Sequence, residues 1–269
     1  MIPRFNLHTH TTYCDGKSSA EEMVLSAIKL GCEGIGFSGH SYIASAPDWT
    51  MSPEGTEKYI SEIKFLREKY ADHIEILLGI EHDVLSEIDR TPYDYIIGAV
   101  HRSPSGGFDV DHTVSVLTEM VKEHFGGDFY AFAADYYRGL SEIKEKTDCD
   151  IVAHFDLITK FNEDGSLFDE NDRRYRDAAF TCLDVLKEKD VIFEINTGAI
   201  SRRYRKSPYP SKAILSRMAE LGCKLTLTTD CHHADWILCA YDDAVEYARE
   251  CGVRELYFPR NKKFIPYKI

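Results

Sequence analysis

Histidines and carboxylates recur along this chain in a pattern suited to holding divalent metal ions. His8-Thr9-His10 near the start and Asp230-Cys231-His232 near the end each set two polar side chains one residue apart. His40, Glu81, His101 and His154 fall between them, and Asp15 follows closely behind the first pair. Neutral imidazole nitrogen and carboxylate oxygen are good ligands for zinc, iron or manganese, and one carboxylate can bridge two ions. Alternate residues of an extended segment point the same way, so His8 and His10 form a metal clip. Taken singly, each of these residues reads as readily as a partly buried histidine or a solvated acid. Six histidines and three carboxylates converging would differ. The acids would repel one another and protonated imidazoles would add like charges, so bound cations are the simplest way to stabilise the cluster.

Convergence needs elements that deliver each side chain to one place. Short apolar segments alternate with amphipathic ones throughout, the pattern of repeated βα units around a parallel sheet or barrel. Strands are expected at residues 2–7, 34–37, 74–80, 95–100, 151–153, 191–195, 224–228 and 255–258. Ser19-Ala20-Glu21-Glu22 has the capping-box form and opens a helix that Gly31 can close, with Met23, Ala27 and Leu30 on one face. Ser52-Pro53 starts the next, which carries Tyr59, Ile63, Leu66 and Tyr70 at helical spacing. Further helices fit residues 114–124, 173–189, 211–221 and 236–251. On this map the ligand-type residues follow the C-terminal ends of strands, which in a β/α barrel is the face that carries the active site. His73, His112 and His124 fall in or near helical segments and are assigned to solvent.

A length of 269 residues suits one α/β barrel, so residues 1–269 are expected to form a single domain. The hydrophobic fraction of 43% and charged fraction of 29% are those of a globular protein rather than a disordered chain. A net charge of −13 argues against nucleic acid or an anionic membrane as partner. One basic island, Arg202-Arg203-Tyr204-Arg205-Lys206, could receive a single anionic group. The eight cysteines form no Cys-x-x-Cys pair and read as reduced fillers. The segment ahead of Phe5 has no basic-then-apolar leader, and no stretch approaches the roughly 18 apolar residues of a membrane span, so the expected compartment is the cytoplasm.

Six motifs between residues 7 and 232 belong together: Leu7-His8-Thr9-His10 with Cys14-Asp15-Gly16, Phe37-Ser38-Gly39-His40, Gly79-Ile80-Glu81, Ile97-Gly98-Ala99-Val100-His101, Ala153-His154-Phe155-Asp156 and Thr229-Asp230-Cys231-His232. As a set they resemble the polymerase-and-histidinol-phosphatase (PHP) superfamily. The chain most resembles its monofunctional histidinol-phosphate phosphatases, through Gly98-Ala99-Val100-His101, the segment from His154 to Phe161, and Pro208-Tyr209-Pro210-Ser211. Asp15 stands where several members of the superfamily have histidine; the resemblance implies that this branch accepts aspartate there, with a harder ligand set for a third metal.

The resemblance implies a distorted (β/α)7 barrel of the PHP type, with seven strands rather than the eight segments counted, so that one segment is peripheral. It implies three divalent ions, whether zinc, manganese or iron. The first would take His8, His10, Glu81 and Asp230, the second Glu81, His101 and His154, and the third Asp15, His40 and His232, with Glu81 bridging the first two. The implied activity is hydrolysis of L-histidinol phosphate to L-histidinol and phosphate, a step of histidine biosynthesis. A water between the first two ions, acidified toward hydroxide, would attack phosphorus in line. Arg202 or Arg203 is expected to clamp the phosphate with Lys160 as helper, and Asp230 or a metal-bound water could protonate the leaving group. The loop at residues 41–51, with Tyr42, Pro47 and Trp49, could cover the substrate or simply pack. A phosphoesterase acting on nucleotides or another small ester is the main rival, disfavoured by the acidic balance, and a metal-binding module without turnover is the second.

Overall fold

Seven strands pair side by side, all parallel and in chain order, and a helical layer surrounds them in this computed structural model, which describes residues 2–261 and 263–269. In order the elements are β1 (Phe5–Asn6), α1 (Ala20–Lys29), β2 (Gly34–Phe37), α2 (Pro53–Lys69), β3 (Glu75–Asp83), β4 (Tyr95–Ala99), α3 (Val114–Phe125), α4 (Phe129–Leu140), α5 (Ile143–Thr147) and β5 (Ile151–Val152). They continue with α6 (Arg173–Leu186), β6 (Ile192–Asn196), α7 (Gly198–Ser201), α8 (Lys212–Glu220), β7 (Leu225–Thr228), α9 (Tyr241–Glu250), β8 (Glu255–Arg260) and β9 (Lys263–Lys268). The strands are nearly continuous apolar runs because both faces are covered: Ile35, Phe37, Leu78, Ile80, Ile97 and Leu227 are fully buried. Beyond β1 and β7 the segments that follow these two strands meet, the His10 amide donating to the Cys231 carbonyl at 3.0 Å and the Cys231 amide to the His8 carbonyl at 3.2 Å. This closes the ring next to the clustered histidines and matches the PHP-type (β/α)7 barrel that the resemblance implies.

The expected helix starts form as their chemistry dictates. At α1 the Glu22 amide donates to the Ser19 hydroxyl while the Glu22 carboxylate accepts from the Ser19 amide at 2.8 Å, and Gly31 leaves the helix at φ +69°. At α2 Ser52 caps the Gly55 amide at 3.0 Å with Pro53 in the first turn. Met23 and Ala27 are buried, but Leu30, expected on the same face, is the C-cap residue and is 39% exposed, because the stripe ends with the helix.

Several boundaries are corrected. The first strand narrows from residues 2–7 to Phe5–Asn6. The expected 173–189 helix ends at Leu186. The 236–251 helix is two pieces, a short 3₁₀ turn at Ala234–Trp236 and then α9, separated by the left-handed backbone of Ala240 at φ 54°. The eighth segment is the peripheral one, since β8 pairs antiparallel with β9 in a hairpin outside the barrel. Two helices in the β4–β5 crossover, α4 and α5, were not anticipated. The buried face of α4 includes Phe132, Tyr136, Tyr137 and Gly139, residues without strong helix preference.

Candidate metal centre

Each expected ligand arrives from the end of a barrel strand or the loop just beyond it. Thr9 bridges to Cys231 in extended form, so His8 and His10 project to the same side with ring centroids 5.1 Å apart. Glu81 lies within β3, and His40 bridges to it from the end of β2. His101 follows β4 and His154 follows β5. After β7 the backbone of Asp230 turns left-handed at φ 44°, and this bend, rather than strand alternation, brings both Asp230 and His232 inward. Asp15 comes from the turn at residues 11–16. A Cβ on Gly16 would stand 2.5 Å from the Thr11 amide nitrogen, so only glycine lets that turn fold tightly enough to carry Asp15 to the centre.

The nine side chains meet. His8 Nε2 lies 3.3 Å from Glu81 Oε2 and 3.7 Å from Asp230 Oδ1, and His10 Nε2 lies 3.5 Å and 3.2 Å from the same two atoms. His154 Nε2 and His101 Nε2 approach Glu81 Oε1 at 3.1 Å and 3.4 Å. His232 Nε2 and His40 Nε2 face Asp15 at 3.1 Å and 3.7 Å, while His40 Nδ1 is 2.8 Å from Glu81 Oε2. Ligand atoms at zinc bond lengths stand roughly 3.3 Å apart around a tetrahedral ion. His8 Nε2, His10 Nε2, Asp15 Oδ1 and Glu81 Oε2 are buried without a hydrogen-bond partner, an arrangement proteins avoid unless something else completes it. The donor set, its spacing and its orphaned atoms therefore fit divalent cations.

Electrostatics point the same way. Burial pushes the His10 imidazole down to about 3, helped by the charges of His232 and His40. Burial would lower His8 too, but Glu194, Asp230 and Glu81 override it and hold that imidazole well above its usual range. Burial likewise opposes ionisation of Asp230, yet Arg202 and His8 keep its carboxyl far below the ordinary carboxylate value. The carboxylates draw positive charge to the His8 side, while His10 is kept neutral, the form in which an imidazole ligates a metal.

The cluster floors a cavity of about 400 Å³, the size of a small-molecule site. Arg202 reaches it from the end of α7, with Nη2 3.1 Å from Asp230 Oδ2. Gly198 makes the room, for a Cβ there would lie 2.8 Å from the Asp230 side chain and 2.9 Å from the guanidinium. Lys160 lines the cavity with its ammonium 3.0 Å from Asp111 Oδ2. Arg203 is not brought to the site. Its backbone turns left-handed at φ 62°, and its exposed side chain lines a separate depression beside Glu163. Arg205 is buried on Thr159 and Glu163. Trp49 stands edge-on to His40 at 4.8 Å and lines the cavity. His112, assigned to solvent, is exposed but also lines the cavity, whereas His73 and His124 are exposed elsewhere.

Two acids escaped the sequence reading. Glu194 of β6 is fully buried and its Oε1 meets His8 Nδ1 at 2.6 Å, and Asp83, two residues beyond Glu81, meets His101 Nδ1 at 3.1 Å. The available signals were an acid inside an otherwise apolar strand for Glu194, and same-face spacing from Glu81 for Asp83.

The family model described as PHP domain matches residues 6–198. The chain belongs to the PHP-domain family. Among members of the family, it is 27% identical to a probable histidinol-phosphatase of Deinococcus radiodurans, over 96% of this chain and 97% of that one. It is 26% identical to a histidinol-phosphatase of Bacillus subtilis, over 89% and 97%. A histidinol phosphate phosphatase of Lactococcus lactis, crystallised with zinc, L-histidinol and phosphate, superposes with a TM-score of 0.68 at 22% identity over 97% and 98% of the two chains. A candidate histidinol phosphatase of Listeria monocytogenes superposes with a TM-score of 0.79 at 21% identity, over 89% and 99%. No described helix is long and apolar enough to cross a membrane.

Proposed function

We propose that this chain is a metal-dependent phosphomonoesterase that hydrolyses L-histidinol phosphate to L-histidinol and phosphate in the cytoplasm. The observation that carries the reading is the set of nine converging ligand-type side chains, five of them with orphaned buried atoms, beneath a cavity that a guanidinium also enters. Relatives named histidinol-phosphatase along nearly their whole length support the choice of ester.

Three divalent ions, zinc, manganese or iron, are assigned to His8, His10, Glu81 and Asp230, to Glu81, His101 and His154, and to Asp15, His40 and His232. Bound there, such ions supply an acidified water and positive charge for the phosphoryl oxygens. The protein's own groups do the rest. Glu81 holds the first two ligand sets together through its two oxygens. Arg202 presents a planar fork that matches two phosphate oxygens, and its contact with Asp230 keeps it aimed at the floor of the cavity. Lys160, held on Asp111, adds a second cation at the wall. Asp230, held ionised by Arg202 and His8, is available first as a proton acceptor, and could hand the proton it takes up on to the departing alkoxide. Trp49 walls the cavity on the His40 side and limits the entry of water.

The test is phosphate release from L-histidinol phosphate by metal-loaded protein, beside 5′-nucleotides and p-nitrophenyl phosphate, with a chelated control. A chelator-sensitive preference for histidinol phosphate is expected. Turnover of other esters alone would keep the metal chemistry and remove the named substrate.

A further inference from the structure

The three ligand sets share one mouth, yet what stands behind them differs. Glu194 uses both oxygens: Oε1 meets His8 Nδ1 at 2.6 Å and accepts the Thr228 hydroxyl at 2.5 Å, and Oε2 accepts from the His154 amide and the Asn196 side chain, each at 2.8 Å. With Oε1 as acceptor, the hydrogen of His8 sits on Nδ1 and the lone pair on Nε2. Nε2 is the atom that faces Glu81 and Asp230 with no hydrogen bond of its own. Asp83 fixes His101 in the same way.

The outer set lacks this support. Both nitrogens of His40 face ligand carboxylates, Glu81 and Asp15, so no further acid stands behind the ring. His232 Nδ1 has the Asp230 backbone carbonyl at 3.0 Å and, at 3.6 Å, only the carboxylate of Asp230, itself an inner ligand, with the Arg202 guanidinium at 2.8 Å, a fixed positive charge beside the position. Solvent access differs as well: the His8 and His10 side chains are fully buried, whereas that of Asp15 is 31% exposed.

We propose that the centre is two-tiered: Glu194, with Asp83, acts as a positioning residue that makes the two inner ions slow to leave, while the ion held by Asp15, His40 and His232 exchanges readily. A carboxylate behind a ligating histidine fixes its tautomer and raises its basicity, and such partners are worth about 10–100-fold in metal affinity. Open solvent at Asp15 acts in the opposite sense, while the Arg202 guanidinium, 2.8 Å from His232 and 3.1 Å from Asp230, borders both tiers. The inference rests on the three-ion assignment made above but not on the substrate, because it is read without any ester present.

The experiment loads the full chain with zinc, adds excess chelator, and follows bound metal per chain by mass spectrometry on desalted samples. One equivalent is expected to leave quickly and two to follow at least about tenfold more slowly. Glu194→Gln is expected to speed the slow phase about tenfold and leave the fast phase unchanged. Asp15→Asn is expected to abolish the fast phase and load two equivalents. Asp83→Asn, acting through His101 alone, should speed one of the two slow equivalents, and it serves should Glu194→Gln fail to fold by circular dichroism. Release of all ions in one phase, a chain that loads no more than two equivalents, or carboxylate variants with wild-type slow phases would overturn the proposal.

Discussion

The interior of the barrel and its mouth treat buried polar groups differently. Inside, the Tyr95 hydroxyl donates toward the carbonyls of Leu7 and Phe37, the latter at 3.2 Å, and from α2, packed on the outside of the barrel, the Tyr59 hydroxyl donates to the Gly79 carbonyl at 2.8 Å. Glycine makes this possible, since a Cβ at Gly79 would lie 2.3 Å from the Tyr95 ring. At the mouth, a few residues further along the same strands, histidine and carboxylate atoms are buried with no partner. Away from the mouth the partnerless buried atoms include single hydroxyls, such as those of Tyr136, Tyr209 and Thr226. The mouth instead gathers such atoms on adjacent ionisable groups, His8, His10, Asp15 and Glu81, a concentration that fits completion by cations because each unpaired buried polar atom costs about 1–3 kcal/mol.

The contrast can be broken at either end. The largest effect is expected at the mouth: Glu81→Gln, which removes the shared carboxylate, should lower phosphate release by at least about 10³-fold and reduce bound metal, both measured on the same preparation. Full activity with wild-type metal content would remove Glu81 from the centre. Next, Arg202→Ala should lower kcat/KM for the phosphate ester by about 10²-fold without reducing metal content, while Arg203→Ala should leave turnover unchanged. Equal losses for the two would show that the exposed arginine matters after all.

Smaller effects are expected where the protein satisfies its own polar groups. Burial disfavours the charge of Asp135 in α4, but Ser105, Ser103 and Arg138 donate to it and hold its carboxyl below the ordinary value. A carboxylate with a depressed folded-state pKa contributes stability above its unfolded value of about 3.9, and the contribution is lost as pH falls through the folded value. Asp135→Asn should therefore cost about 1.5–3 kcal/mol in urea unfolding at pH 7, with the deficit shrinking toward pH 3. A deficit independent of pH would assign the loss to packing. Tyr95→Phe should cost about 1 kcal/mol and leave metal release unaltered. Altered release would mean that the interior and the mouth are not separable.

Much of the centre was legible before any coordinates, and for a local reason. Each expected ligand follows or ends an apolar run long enough to be a buried strand, and in a parallel β/α arrangement strand ends point to one face. The capping box at Ser19 and the Ser52-Pro53 start were readable on the same ground, since both depend on residues within one turn of each other. What escaped notice depends on partners distant in the chain. Glu194 looks like an isolated acid in an apolar strand until His8, 186 positions away, is set against it. Arg202, Arg203 and Arg205 are equivalent in a sequence of cations, but the left-handed turn at Arg203 sends the first into the mouth, the second to solvent and the third onto Thr159 and Glu163. The sequence by itself determined which residues end the strands and so which side chains could meet. Only the tertiary structure decided which charges face which, because the direction of a side chain on a loop depends on backbone torsions and long-range contacts that no periodicity records.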